Sequence, residues 1–189
     1  LSARVLSSVD GLLAAERPDL LVVQGDTTSV LMSGLAAFYR RVPVAHVEAG
    51  LRTADAMNPF PEELNRRLTS VIASLHFAPT ERARRALLAG GVAADTVFVT
   101  GNPVVDALHY IRRSPAYRDV QLPVPVDRRQ RLLLVTLHRR ESWGAPLAGM
   151  CAALRTLVER FDDTQIVIPV HLNPAVRDII YTSLGDTPR

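Results

Sequence analysis

The chain has 189 residues, 48% hydrophobic and 22% charged, which supplies a packed core and excludes wholesale disorder. All 22 basic residues are arginine and the net charge is only +3, so the pI of about 9.6 reflects the high pKa of arginine rather than a strong positive field. Scattered arginines argue against a nucleic-acid partner, no apolar run reaches the ~18–20 residues of a membrane span, and one cysteine, Cys151, excludes an internal disulfide framework. The opening LSARVLSSVD lacks the pattern of a signal peptide, so a cytoplasmic protein is expected.

Val5, Leu6, Val9, Leu12 and Leu13 recur at helical spacing from a start without methionine, and Val176, Ile179, Ile180 and Leu184 do so just before the end at Arg189. A fragment of a longer protein is expected. Residues 19–24 read as a buried parallel strand, 27–41 as a helix capped by Thr27 or Thr28, and 42–47 as a second strand. A helix over 61–73 opens on Pro61 and two glutamates, a brief strand covers 75–78, and Thr80 caps a helix that ends at Gly90-Gly91. Residues 97–100 form another strand, ending at Gly101-Asn102-Pro103. Pro115, Pro123 and Pro125 among aperiodic polar residues place a linker within 111–130. Strand 132–136, a helix around 146–159, strand 165–170 and a helix after Asn173-Pro174 then begin a second sheet. The expected organisation is a first α/β domain over 1–110, the linker over 111–130 and a second domain over 131–189, both sheets parallel and helix-covered.

Ligands of open parallel sheets sit beyond the carboxyl ends of the strands, which selects four stretches. In Gly25-Asp26-Thr27-Thr28, Asp26 either caps the following helix or projects toward a ligand. In His46-Val47-Glu48-Ala49-Gly50-Leu51-Arg52, Glu48 is placed for proton chemistry or else pairs with Arg52. Glu62 and Glu63 of Asn58-Pro59-Phe60-Pro61-Glu62-Glu63-Leu64-Asn65-Arg66 are candidates for a site, but taken alone the preference of acids for a helix start accounts for them better. His138-Arg139-Arg140-Glu141-Ser142 suits phosphate or a solvated basic loop, and His171 repeats the placement after its own strand. Together, acids in one domain and a basic histidine group in the other suit a phosphorylated substrate from which a proton is moved.

The stretch QGDTTSVLMSGLAAFYRRVPVAHVEAGLRT, then NPFPEELNRRLTS, FAPTERARRALL, VTGNPVVDAL, VTLHRRESWG and IPVHLNP, in this order and over essentially the whole chain, resembles the non-hydrolysing UDP-N-acetylglucosamine 2-epimerases. The resemblance implies an α/β fold of the glycosyltransferase-B type, two Rossmann-like domains with the active site between them, both incomplete in this chain. It implies an isomerase that inverts carbon 2 of the sugar by eliminating UDP to a 2-acetamidoglucal and adding it back, for cell-surface polysaccharide precursors. Asp26, Glu48 and Glu62 match the family's catalytic acids, His138 its histidine at the diphosphate, and Arg139 and His171 its contacts to a regulatory UDP-N-acetylglucosamine. It implies no redox cofactor or obligatory metal, UDP-N-acetylglucosamine as substrate and effector, a homodimer at full length, and no activity for these residues alone. The hydrolysing relative, which releases free N-acetylmannosamine, and a non-catalytic nucleotide-sugar-binding remnant are the alternatives.

Overall fold

Each strand is a short run followed by a helix, and four of those helices open on a side-chain acceptor, Thr27, Thr80, Asn102 or Asn173. The structure, a computed structural model, describes residues 1–118, 120–139 and 142–187 and forms two compact units, Leu1–Arg118 and Asp119–Arg189.

In the first unit, helix α1 (Ser2–Glu16) precedes β1 (Leu21–Gln24), α2 (Thr28–Tyr39), β2 (Val44–Val47), α3 (Glu62–Ile72), β3 (Leu75–Ala78) and α4 (Glu81–Ala89). A 3₁₀ turn (Ala94–Thr96), β4 (Val97–Val99), α5 (Pro103–Arg113) and the helical turn α6 (Pro115–Arg118) follow. Thr27 Oγ1 accepts from Val30 N at 3.3 Å to start α2, Thr80 Oγ1 from Ala83 N at 3.2 Å to start α4, and Asn102 Oδ1 from Val104 N at 3.1 Å to start α5. The four strands form one parallel sheet in the order β1-β2-β3-β4.

Register puts Val23, His46, His76 and Val97 in one row, all buried. Val22 and Phe98 belong to the alternate set of side chains and are exposed. One core cluster joins Leu13, Val23, Ala36, Ala37 and Val44, and a second joins Ala49, Ala78, Ala83, Leu87 and Val97. Helix α3 buries Glu63, Asn65, Thr69 and Ser70, while its Leu64, Leu68 and Val71 are exposed. Its inner face is therefore polar.

In the second unit, β5 (Arg131–Leu134) and β6 (Thr164–Val167) pair in parallel, with α7 (Ala145–Arg160) between them in sequence and α8 (Pro174–Leu184) after them. Leu147, Cys151, Val176 and Ile180 form the core between the helices. Burial pushes the Cys151 thiol above its ordinary range, so it behaves as a small apolar side chain. Gln165 ties the approach to β5, donating from Nε2 to the Asp127 carbonyl at 2.8 Å.

Most strands are shorter than the apolar runs predict, while β3 spans the expected 75–78. Helices also occupy stretches that composition assigns to a strand end and a linker: α5 runs through Arg113, and α6 covers Pro115–Arg118. The reason is positional. Pro103 and Pro115 stand in the first turn, where a missing N–H costs nothing and the fixed φ suits the helix.

Gly50 carries φ +87°, and a Cβ added there would stand 2.4 Å from the Ala83 carbonyl oxygen and 2.8 Å from Leu87 Cγ. Gly91 shares φ +87° but has open space around it. Gly91→Ala is therefore expected to cost roughly 1–2 kcal/mol of backbone strain, and Gly50→Ala roughly 2–5 kcal/mol because overpacking adds to that strain. Urea denaturation followed by circular dichroism separates the two; equal midpoints would rule out the close approach of α4 to the loop after β2.

Candidate active site

The carboxyl ends of β1 and β2 are adjacent, since Gln24 pairs with Val47 and Gly25 N donates to the Val47 carbonyl at 3.1 Å. Gly25 turns with φ +87°, and Asp26 follows. Because Thr27 caps α2, the Asp26 carboxylate is left for other partners: its Oδ2 accepts from Arg66 Nε at 2.9 Å, and its backbone carbonyl accepts from Asn65 Nδ2 at 2.9 Å. Asp26 is thus not the cap of α2; its carboxylate pairs with Arg66 instead.

Glu48 lies beside this turn, with Oε2 3.9 Å from the place of a Cβ on Gly25. Its backbone is left-handed, φ +67°, a conformation that costs a non-glycine residue about 1–2 kcal/mol. Oε1 accepts from Asn102 Nδ2 at 3.3 Å. The alternative partner, Arg52, donates instead to the Leu51 carbonyl at 2.8 Å and Ser70 Oγ at 2.7 Å. Asp26 and Glu48 therefore share one strand-end corner.

Beneath that corner His46 is fully buried, its Nε2 2.8 Å from the Gly25 carbonyl, which as an acceptor requires the proton on Nε2. Nδ1 has no partner. Burial lowers the His46 pKa, against the Gly25 hydrogen bond; the charges of His76 and Arg52 lower it further and Asp26 opposes them.

The two glutamates that open α3 separate. Glu62 is half-buried, and its carboxylate has no hydrogen-bond or ion-pair partner among the described residues. Glu63 is completely buried: Oε2 accepts from Thr53 N at 3.1 Å and from Arg66 Nη1 at 3.1 Å, and Oε1 from Arg67 Nε at 2.8 Å. Burial by itself raises the Glu63 carboxyl, but the hydrogen bonds from Arg67 and Thr53 and the charges of Arg67 and Arg66 outweigh it and hold the group below the usual carboxylate range. Sequence reasoning weighed Glu63 only together with Glu62 and gave no role to Asn65, Arg66 or Asn102. The i,i+3 and i,i+4 spacing of Glu63 with Arg66 and Arg67 was the available signal. Nothing local pointed to Asn102, 54 positions from Glu48.

In the second unit, His138 follows β5 and His171 follows β6, at the carboxyl ends of paired strands. His138 and Arg139 are exposed and line a cavity of about 360 Å³ with Ser142 and Trp143. Arg140 and Glu141 of the same motif lie outside the described residues. His171 is exposed and its Nδ1 accepts from Asn173 N at 3.1 Å, just before Asn173 Oδ1 caps α8 through Ala175 N at 3.0 Å. A larger cavity of about 920 Å³ in the first unit, lined by Arg52, Arg67, Ser70, His76 and Leu87, touches neither Asp26 nor Glu48. Among the described residues no three His, Cys, Asp or Glu side chains stand together as metal ligands.

Two parallel helix-linked sheets with ionisable groups at their carboxyl ends define an α/β protein of the glycosyltransferase-B-like type. All 189 residues match the family model described as UDP-N-acetylglucosamine 2-epimerase, and the chain belongs to that family. It is 45% identical over 189 residues to the UDP-N-acetylglucosamine 2-epimerase of Bacillus subtilis, covering 100% of this chain and 49% of that protein. It is 45% identical over 192 residues to the enzyme of that name from Escherichia coli K12, covering 98% of this chain and 51% of the other. The crystal structure of UDP-GlcNAc 2-epimerase from Neisseria meningitidis bound to UDP-GlcNAc superposes with a TM-score of 0.91 at 38% identity, over 98% of this chain and 51% of that one. The chain thus spans about half the length of the relatives it matches.

Below the ordinary value of about 6.5 the unfolded chain takes up a proton that folded His46 resists, so stability falls as pH drops through that value. His46→Gln, which keeps a donor near the Gly25 carbonyl, is expected to flatten the decline in denaturation midpoint between pH 8 and pH 5.5. An unchanged slope in the variant would show that His46 is not the group responsible.

Proposed function

We propose that this chain takes part in the reversible epimerisation of UDP-N-acetylglucosamine to UDP-N-acetylmannosamine at carbon 2, without hydrolysis to free sugar, supplying precursors of cell-surface polysaccharide. The observation that carries the reading is the pair of carboxylates, Asp26 and Glu48, brought to one corner by adjacent strand ends. The names of the relatives and the UDP-GlcNAc bound to the Neisseria structure supply the substrate class.

The chemistry asked of the residues is balanced and needs no oxidant. A base takes the proton from carbon 2, the bond from carbon 1 to the UDP oxygen breaks, and the electron pair of the C–H bond becomes the C1–C2 double bond of a 2-acetamidoglucal. Re-addition forms the C1–O bond again while an acid returns a proton to the opposite face of carbon 2. Two faces of one carbon require groups on two sides, which gives Asp26, Glu48 and Glu62 complementary acid and base roles. The Glu62 carboxylate, without a partner among the described residues, is not already engaged. His138 is assigned to the charge that develops on the departing diphosphate, and Arg139 and His171 to a regulatory UDP-N-acetylglucosamine.

In a protein of the relatives' length carrying this chain, Asp26→Asn, Glu48→Gln and Glu62→Gln are each expected to lower turnover by roughly 10²–10⁴-fold while UDP affinity changes little. Proton NMR in deuterated water reads both product and deuterium at carbon 2; full turnover in any variant removes that residue from the chemistry, and free N-acetylmannosamine as product would replace epimerisation with hydrolysis.

The regulatory assignment is tested separately. Substituting Arg139 or His171 with alanine is expected to reduce activation by UDP-N-acetylglucosamine in the UDP-N-acetylmannosamine direction by about 5-fold or more, the span of a typical allosteric coupling. Unchanged activation in both variants would withdraw it.

A further inference from the structure

We infer that Glu63 is a positioning residue for Asp26, acting through Arg66; the inference rests on the proposed role of Asp26 in proton transfer. Arg66 divides its guanidinium between two carboxylates, Nη1 on Glu63 and Nε on Asp26, and its side chain is only 12% exposed. A planar fork held at two points can neither turn nor withdraw without breaking one of them. Of its two partners, Asp26 is 31% exposed and Glu63 is 0% exposed, so Glu63 is the fixed end and Asp26 the end that faces chemistry.

Glu63 is fixed in turn by groups that do not involve Asp26. Thr53 N and Arg67 Nε both donate to it, and Arg67 also donates from Nη2 to the Thr53 carbonyl at 3.2 Å. The segment after β2 and the first turn of α3 thereby close around one buried negative charge. Asn65, on the same helix, holds the Asp26 backbone independently through the Asp26 carbonyl. Removing the Glu63 charge would therefore leave the Asp26 turn in place while releasing the guanidinium that aims its carboxylate. The expected signature is a loss of turnover rather than of UDP binding.

The test uses a protein of the relatives' length carrying Glu63→Gln, Asp26→Asn, both together, and Arg66→Lys. Glu63→Gln is expected to lower kcat by up to roughly 10²-fold, the cost of a small misplacement of a reacting group, with UDP affinity unchanged. In the Asp26→Asn background the same change should cost less than about 2-fold, because the group it positions is already gone. A merely structural Glu63 would cost the same in both backgrounds, and that result overturns the inference. If Glu63→Gln does not fold, Arg66→Lys decides, since it leaves Glu63 paired with Arg67 and Thr53 but cannot bridge to Asp26. Loss of turnover with normal UDP binding upholds the inference, and full turnover overturns it. Full activity of Asp26→Asn would instead remove the reading on which the inference rests, whatever Glu63→Gln does.

Discussion

A carboxylate with no exposed surface cannot stay ionised in a protein interior unless donors surround it, and Glu63 sets that condition for the first unit. Three donors answer it, one from the backbone at Thr53 and two from guanidinium groups one helical turn further along α3. Meeting the charge forces α3 to turn its polar side inward, so Leu64, Leu68 and Val71 are left outside. It also brings Arg66 within reach of Asp26 and Asn65 within reach of the Asp26 backbone. The candidate site is thus assembled from the helix side as much as from the strand ends.

The same economy of side chains recurs at the turns. Thr27 takes the capping task that would otherwise fall to Asp26, so the acid is free for Arg66. Gly25 and Gly50 both adopt φ +87° on either side of Glu48, the first allowing a tight turn beside the acid and the second a close approach to α4. His46 packs under the turn and carries a proton on Nε2 for the Gly25 carbonyl, which anchors the corner from below without placing another charge there.

Much of this order was legible in the residues. Short apolar runs separated by capped periodic segments led directly to parallel sheets, although β1, read as a buried strand, lies at the sheet edge with Val22 exposed. Asp26 and Glu48 were legible because a strand end is a position that periodicity locates. The division of labour between Glu62 and Glu63 was not: both stand within one turn of Arg66, and only the rotation of α3 about its axis decides which is buried. The leucine spacing of that helix, 64 and 68, suggests the opposite rotation to the one that the buried charge imposes. Asn102 was hidden for a different reason, since a contact across 54 positions leaves no trace in local pattern. Helices α5 and α6 were missed because Pro103 and Pro115 look like breakers until their place in the first turn is known.

One side chain, finally, serves two masters. The Asn102 amide gives its oxygen to the first turn of α5 and its nitrogen to Glu48, and because an amide has one of each, neither bond can be kept by flipping the group. The entrance of α5 and the Glu48 carboxylate are mechanically one unit: a displacement at that helix start is felt by the acid across the width of a single amide. Carboxylate geometry at the corner is therefore coupled, through one side-chain amide, to the path of the chain as it leaves the first sheet.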